Sequence, residues 1–211
     1  MPVWKSFYPD NYSLGKIWKI TETEEELLNI LQDDPYSILD HFEGTNRQKR
    51  IEYICSRLLV KELCDEFSIR YHRLLKDDHN KPYLEGSICH ISLSHSSDYC
   101  AAVVHSAKKI GIDIQKLDPK LDVIARKFLS DSEINSFNHD LEKLCIAWCS
   151  KEAAYKLIGK KGVSLKHHLT IIKEESDHLI IESSSLEFEG VIVVNHWNVE
   201  DHSIAVAIEK P

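Results

Sequence analysis

Two apolar runs half a chain apart, Tyr99-Cys100-Ala101-Ala102-Val103-Val104 and Ser203-Ile204-Ala205-Val206-Ala207-Ile208, each close a stretch that passes from a helical pattern into a β-hairpin. A chain that repeats this order predicts an α+β fold of two similar, pseudo-twofold-related lobes, each an antiparallel sheet packed against a long helix. The 211 residues suffice for two lobes of about 100 residues each. The boundary falls near position 107, giving an N-terminal lobe of 1–107 and a C-terminal lobe of 108–211. Two lobes also supply a cleft between them, a common seat for a ligand.

Within the first half, strands are expected at Val3 to Phe7 and Lys16 to Ile20. A helix follows, capped by Thr21 or Thr23, with Leu27, Leu28, Ile30 and Leu31 facing inward. From Asn46 to Glu66, apolar residues at Ile51, Ile54, Leu58, Leu59 and Leu63 have the spacing of a long amphipathic helix. Two β-like segments, Ile88 to Leu93 and Tyr99 to His105, are joined by a polar turn, Ser94-His95-Ser96-Ser97-Asp98. The second half predicts a strand at Ile110 to Ile114, helices over Leu121 to Phe128 and from Ser132, and a longer one over Leu141 to Ile158. Strands at Leu169 to Lys173, Leu179 to Glu182, Glu187 to His196 and Ser203 to Glu209 end it. Ser130 and Glu133 have capping-box spacing, which assigns Glu133 to a helix start and not to a metal.

Composition excludes several classes. With 43% hydrophobic and 28% charged residues, only 7 Gly and 6 Pro, and no low-complexity tract, the chain can bury a core and is not disordered. It contains no run of about 18 apolar residues and no basic-then-apolar start, so the expectation is a cytoplasmic protein with no membrane partner. A net charge of −8 argues against nucleic-acid binding. The six cysteines lack C-x-x-C spacing and are expected reduced and mostly buried, with Cys145 and Cys149 packing on one helical face. His105, His196 and His202 fall in strand-like segments, where a polar face is expected. The basic run Arg47-Gln48-Lys49-Arg50, with Arg57 and Lys61, reads either as a solvated helix face or as a surface for a phosphate-rich ligand.

Chemistry concentrates in two segments. Gly111-Ile112-Asp113-Ile114-Gln115 is a β-branched run interrupted by one carboxylate. In Trp148-Cys149-Ser150-Lys151-Glu152-Ala153-Ala154-Tyr155-Lys156, Trp148, Glu152 and Lys156 recur every four residues on one helical face. Mg²⁺ prefers one or two carboxylates completed by phosphate and water, so two acids far apart in sequence but convergent in space suit phosphoryl chemistry.

Asn80-Lys81-Pro82, Ser94-His95-Ser96, Gly111-Ile112-Asp113-Ile114 and Trp148-x-x-Lys151-Glu152-Ala153-x-x-Lys156, in that order, resemble the 4′-phosphopantetheinyl transferase family in its two-lobed monomeric form. The resemblance implies an enzyme that moves the phosphopantetheine arm of coenzyme A onto a serine of an acyl, peptidyl or aryl carrier protein, with Mg²⁺ as cofactor, releasing 3′,5′-ADP. By the same resemblance Asp113 and Glu152 bind Mg²⁺, Glu152 takes the proton of the incoming serine, and Lys156 offsets charge on the phosphate. Lys81, Ser94 and His95 contact coenzyme A, and Arg50 or Arg57 meets its 3′-phosphate. Two positions depart from the family pattern. Gln115 stands where many members carry Glu, leaving an amide oxygen or water as third metal ligand and weakening Mg²⁺ binding. Asn80 replaces a glycine, and asparagine tolerates positive φ. Gln115 also motivates an alternative, a non-catalytic homologue that holds coenzyme A or a carrier without turnover. A third reading, a metal-dependent hydrolase, would use the same carboxylates.

Overall fold

In the computed structural model, which describes residues 3–31 and 44–209, the first sheet is built from β1 (Val3–Phe7), β2 (Ser13–Lys19), β5 (His90–Ser96) and β6 (Tyr99–His105). Its order is β1-β2-β6-β5, antiparallel throughout. Between β2 and β5 run α1 (Glu24–Ile30), α2 (Arg47–Glu66) and a short hairpin, β3 (Leu74–Lys76) with β4 (Pro82–Leu84). Thr23 and Glu26 close α1 with a reciprocal capping box, and the Asn46 side chain accepts from the Lys49 amide to start α2. Ile54, Leu58, Leu59 and Leu63 of α2 bury against Leu14, Trp18, Cys100, Ala102 and Val104 of the sheet. Ile30, expected to face inward, is 39% exposed, because Leu27 already occupies the buried stripe of this short helix.

The second sheet has the order β7-β11-β10-β9-β8, from β7 (Ile110–Lys116), β8 (Leu169–Glu174), β9 (His178–Ser185), β10 (Phe188–Val199) and β11 (His202–Glu209). Before β8 come α3 (Lys120–Phe128), α4 (Asp131–Phe137) and α5 (Leu141–Ile158). α5 begins at Asp140, whose carboxylate accepts two backbone amides, and ends at Gly159 in the left-handed conformation, φ 66°. Its small inner residues Cys149, Ala153 and Ala154 lie on Ala205, Ala207 and Ile192.

The opposite faces of the two sheets meet. Ile17, Tyr99, Ala101 and Val103 from the first pack against Ile110, Ile112, Ile114, Ile204 and Val206 from the second. The layers therefore run helix, sheet, sheet, helix, and the fold is α+β with a long helix over each antiparallel sheet. This explains why β6 and β11 read as continuous apolar runs: each is an inner strand of its sheet and is covered on both faces. It also buries His105 and His202, 1% and 2% exposed, which strand alternation alone assigned to a polar face. His105 accepts the Ala107 and Lys108 amides at Nδ1 and holds Asp10 with Nε2.

The polar segment around His95 also differs from expectation. Ser94 and Ser96 belong to β5, which pairs through Ser96 opposite Tyr99, so the turn shrinks to Ser97 and Asp98, with Ser97 at φ 54°. The cause lies in the neighbouring strand. The amides of Ile112, Ile114 and Lys116 on β7 donate to the hydroxyls of Ser92, Ser94 and Ser96. Three alternate serines thus take the place of a backbone ladder where the edges of the two sheets meet. Among the described residues no helix is long and apolar enough to cross a membrane, and all six cysteines are free thiols.

Candidate active site

Asp113 sits on the face of β7 that looks toward α5, because Ile112 and Ile114 occupy the sheet-to-sheet core on the other side. Gly111 allows the close approach: a Cβ there would run into the Ala153 carbonyl oxygen and lie 2.6 Å from the Leu157 amide. α5 therefore delivers Glu152 and Lys156 to Asp113. Lys156 Nζ lies 2.7 Å from Asp113 Oδ1 and 2.8 Å from Ser94 Oγ, while Ser94 donates to the same Oδ1 at 2.7 Å. The cation four residues past Glu152 thus reaches across to β7 instead of forming an ion pair along its own helix. Trp148, one turn earlier, packs edge-on against Phe128, their rings 4.9 Å apart.

Glu152 has a different environment. Among the described residues no hydrogen bond or ion pair reaches its carboxylate. Burial, and then the charge of Asp113, raise its pKa above the usual carboxylate value, against the opposing pull of Lys156. Two carboxylates on facing elements, one without a protein partner, fit a hard divalent cation that takes its remaining ligands from water or substrate. Among the described residues no group of three or more His, Cys, Asp or Glu gathers as a metal site, so the acids present number fewer than a closed protein cage requires. Gln115 shares the strand face of Asp113, but its amide nitrogen donates to the Lys116 carbonyl at 3.2 Å.

Lys156 also lines a cavity of about 620 Å³ between α2, the β3–β4 hairpin, β5 and the end of α5. Its walls carry Lys49, Arg57, Lys76, Lys81, His79 and His95 against one carboxylate, Glu52, a basic concavity in a chain of net charge −8. Arg57 stacks its guanidinium 3.1 Å from the Tyr53 ring centroid and donates to the Tyr53 carbonyl. His95 Nδ1 lies 3.3 Å from Glu52 Oε2, with over half its side chain exposed. Lys81 Nζ donates to the Leu157 carbonyl at 2.7 Å, capping the C-terminal end of α5, and its methylenes fill the space a side chain at Gly159 would need. Burial, with Lys109 nearby, lowers the Lys81 pKa to about 8. Asn80 holds φ 66° in the preceding turn, as a residue replacing glycine must.

The residues singled out from sequence therefore fall into three groups. Asp113, Glu152, Lys156 and Ser94 come together. Lys81, His95 and Arg57 line the adjoining cavity. Arg50 does neither: its guanidinium is bidentate on Glu24, at 2.6 and 3.1 Å, with a third bond to the Thr45 carbonyl. Tyr53, Lys76 and His79 also face the cavity, although nothing in the sequence marked them. The only available signal was position, since Lys76 precedes, and His79 lies within, the hairpin turn that carries Lys81. Glu133 does cap α4 and also forms a buried ion pair with Lys151, 2.8 Å, in the wall behind Glu152.

Comparison with known proteins bears on this geometry. Residues 109–207 match the family model of the 4′-phosphopantetheinyl transferase superfamily, and residues 40–105 match the 4′-phosphopantetheinyl transferase N-terminal domain. A Bacillus subtilis 4′-phosphopantetheinyl transferase is 31% identical over 141 residues, covering 64% of this chain and 62% of that protein. A Xenopus laevis L-aminoadipate-semialdehyde dehydrogenase-phosphopantetheinyl transferase is 24% identical over 210 residues, covering 84% of this chain and 68% of its own length. The chain thus spans about two thirds or less of these curated relatives. Among solved structures, Helicobacter pylori holo-[acyl-carrier-protein] synthase in complex with coenzyme A aligns with a TM-score of 0.40 at 21% identity, over 47% of this chain and 99% of that one.

Proposed function

Because the chain belongs to the 4′-phosphopantetheinyl transferase superfamily, we propose that it transfers the phosphopantetheine arm of coenzyme A to a serine of an apo acyl, peptidyl or aryl carrier protein, with Mg²⁺, releasing 3′,5′-ADP. The observation that carries this reading is the Asp113–Ser94–Lys156 cluster with an unpartnered Glu152 beside it, at the end of a basic cavity.

In this reading the N-terminal lobe, 1–107, holds coenzyme A and the C-terminal lobe, 108–211, carries the acids. Lys49, Lys81 and Arg57 supply the cationic wall for the phosphates, with His95 beside them as a further hydrogen-bonding group. Arg57, held against Tyr53, is the residue of the two arginine candidates that faces the ligand. Asp113 and Glu152 would hold Mg²⁺, with Gln115 or water completing the set. When bound, the ion would supply charge neutralisation on the pyrophosphate. Glu152, with its raised pKa and free oxygens, accepts the serine proton directly or through one water. Lys156 meets negative charge on the transferring phosphoryl group.

The test is incubation with coenzyme A, Mg²⁺ and a panel of apo carrier proteins, read by mass spectrometry. The expected result is phosphopantetheine on a carrier serine together with free 3′,5′-ADP. Coenzyme A binding with no transfer to any carrier would overturn the catalytic reading and leave a binding protein. Consumption of coenzyme A without an acceptor would indicate a hydrolase.

A further inference from the structure

Resting on that reading of the site, we propose that the Lys156 ammonium is the resident counter-ion of Asp113, beside Glu152, and that a divalent ion enters only by exchange with it. Asp113 Oδ1 already accepts from both Lys156 Nζ and Ser94 Oγ, each at 2.7 Å. An ion shared by Asp113 and Glu152 and an ammonium on the same oxygen are like charges in contact, so one excludes the other.

The route out is visible. The Lys156 side chain is 28% exposed and lines the basic cavity. The cavity is lined by Lys49, Arg57, Lys76 and Lys81 against one carboxylate, Glu52, so leaving Asp113 exchanges a direct ion pair for a mainly cationic wall unless an anion occupies the space. A pyrophosphate in the cavity is such an anion, and ion entry and phosphate binding thereby become coupled, each favouring the other. Ser94 is then a positioning residue. Its hydroxyl donates to Asp113 and accepts from the Ile114 amide, at 3.3 Å, two bonds that do not run through Lys156 and so can hold the carboxylate's orientation through the exchange.

The experiment is Mn²⁺ binding to the full chain without coenzyme A, followed by the electron paramagnetic resonance signal of the free ion, for the parent protein and for Lys156→Met, Lys156→Arg and Glu152→Gln. Lys156→Met should bind Mn²⁺ at least about tenfold more tightly than the parent, because the competing charge is gone. Lys156→Arg, which keeps that charge, should bind like the parent, and Lys156→Gln repeats the test should methionine disturb packing. Glu152→Gln should weaken binding. If Glu152→Gln weakens binding but neither neutral variant strengthens it, the exchange is overturned and the ion site stands. If Glu152→Gln changes nothing, the ion site itself is wrong and the exchange falls with it.

Discussion

The role proposed for Glu152 carries a thermodynamic penalty. Burial and Asp113 raise its pKa, so the folded protein binds this proton more tightly than the unfolded chain does. The stability tied to that proton is present below the unfolded pKa and lost as pH rises through the folded value. Glu152→Gln should therefore raise the Tm at neutral pH, measured by calorimetry, while lowering transfer by about 10²-fold or more. Lys81 shows the opposite displacement, to about 8. Between pH 8 and the ordinary lysine range the unfolded chain binds more protons, so stability should rise with pH across that window. In Lys81→Met this increment should disappear from denaturant midpoints measured at pH 8 and pH 10. The sequence named the groups that the fold brings together at Asp113 but could not choose between two arginines for the cavity. Arg50 and Arg57 both lie on one helix, and only the Glu24 carboxylate, placed by a different helix, decides that Arg50 is engaged elsewhere.

Among the elements, α5 and its seat on β7 govern the site. Gly111→Ala would place a methyl against the backbone of Ala153 and Leu157, which cannot rotate away, so the helix must move off the strand that holds Asp113. The expected outcome is a loss of about 2–3 kcal/mol in urea unfolding together with reduced transfer. Lys151 fixes the same helix from behind. Its fully buried ammonium is held by both oxygens of Glu133 and by the Phe128 carbonyl. Lys151→Met leaves Glu133 charged and buried, at a cost of about 3–5 kcal/mol, and adding Glu133→Leu to it should recover part of that loss. The long helices were legible from periodicity and caps: Leu141 to Ile158 and the Asn46 start match the structure. The end of β5 was not. Serine at three alternate positions looks like a turn until β7 brings amides to bond with it.

Across the whole molecule, the shared sheet-to-sheet core makes the halves interdependent. A chain of 108–211 alone would expose Ile110, Ile112, Ile114, Ile204 and Val206 together, and one of 1–107 would expose Ile17, Ala101 and Val103. Each half expressed alone should aggregate or stay unfolded by circular dichroism, whereas the intact chain should unfold in one transition by fluorescence and far-UV signal alike. Side-chain periodicity, capping chemistry and local charge were enough to read the helices, most of the strands, the repeated helix-then-hairpin order and the candidate acids from the chain, but not the β3–β4 hairpin or the end of β5. Which groups meet was set by packing between distant elements. The partnership of Lys156 with Asp113, the position of Arg57 on the cavity wall while Arg50 pairs with Glu24, the burial of His105 and His202, and the basic cavity all arise where elements distant in sequence pack together, and no local pattern encodes that contact.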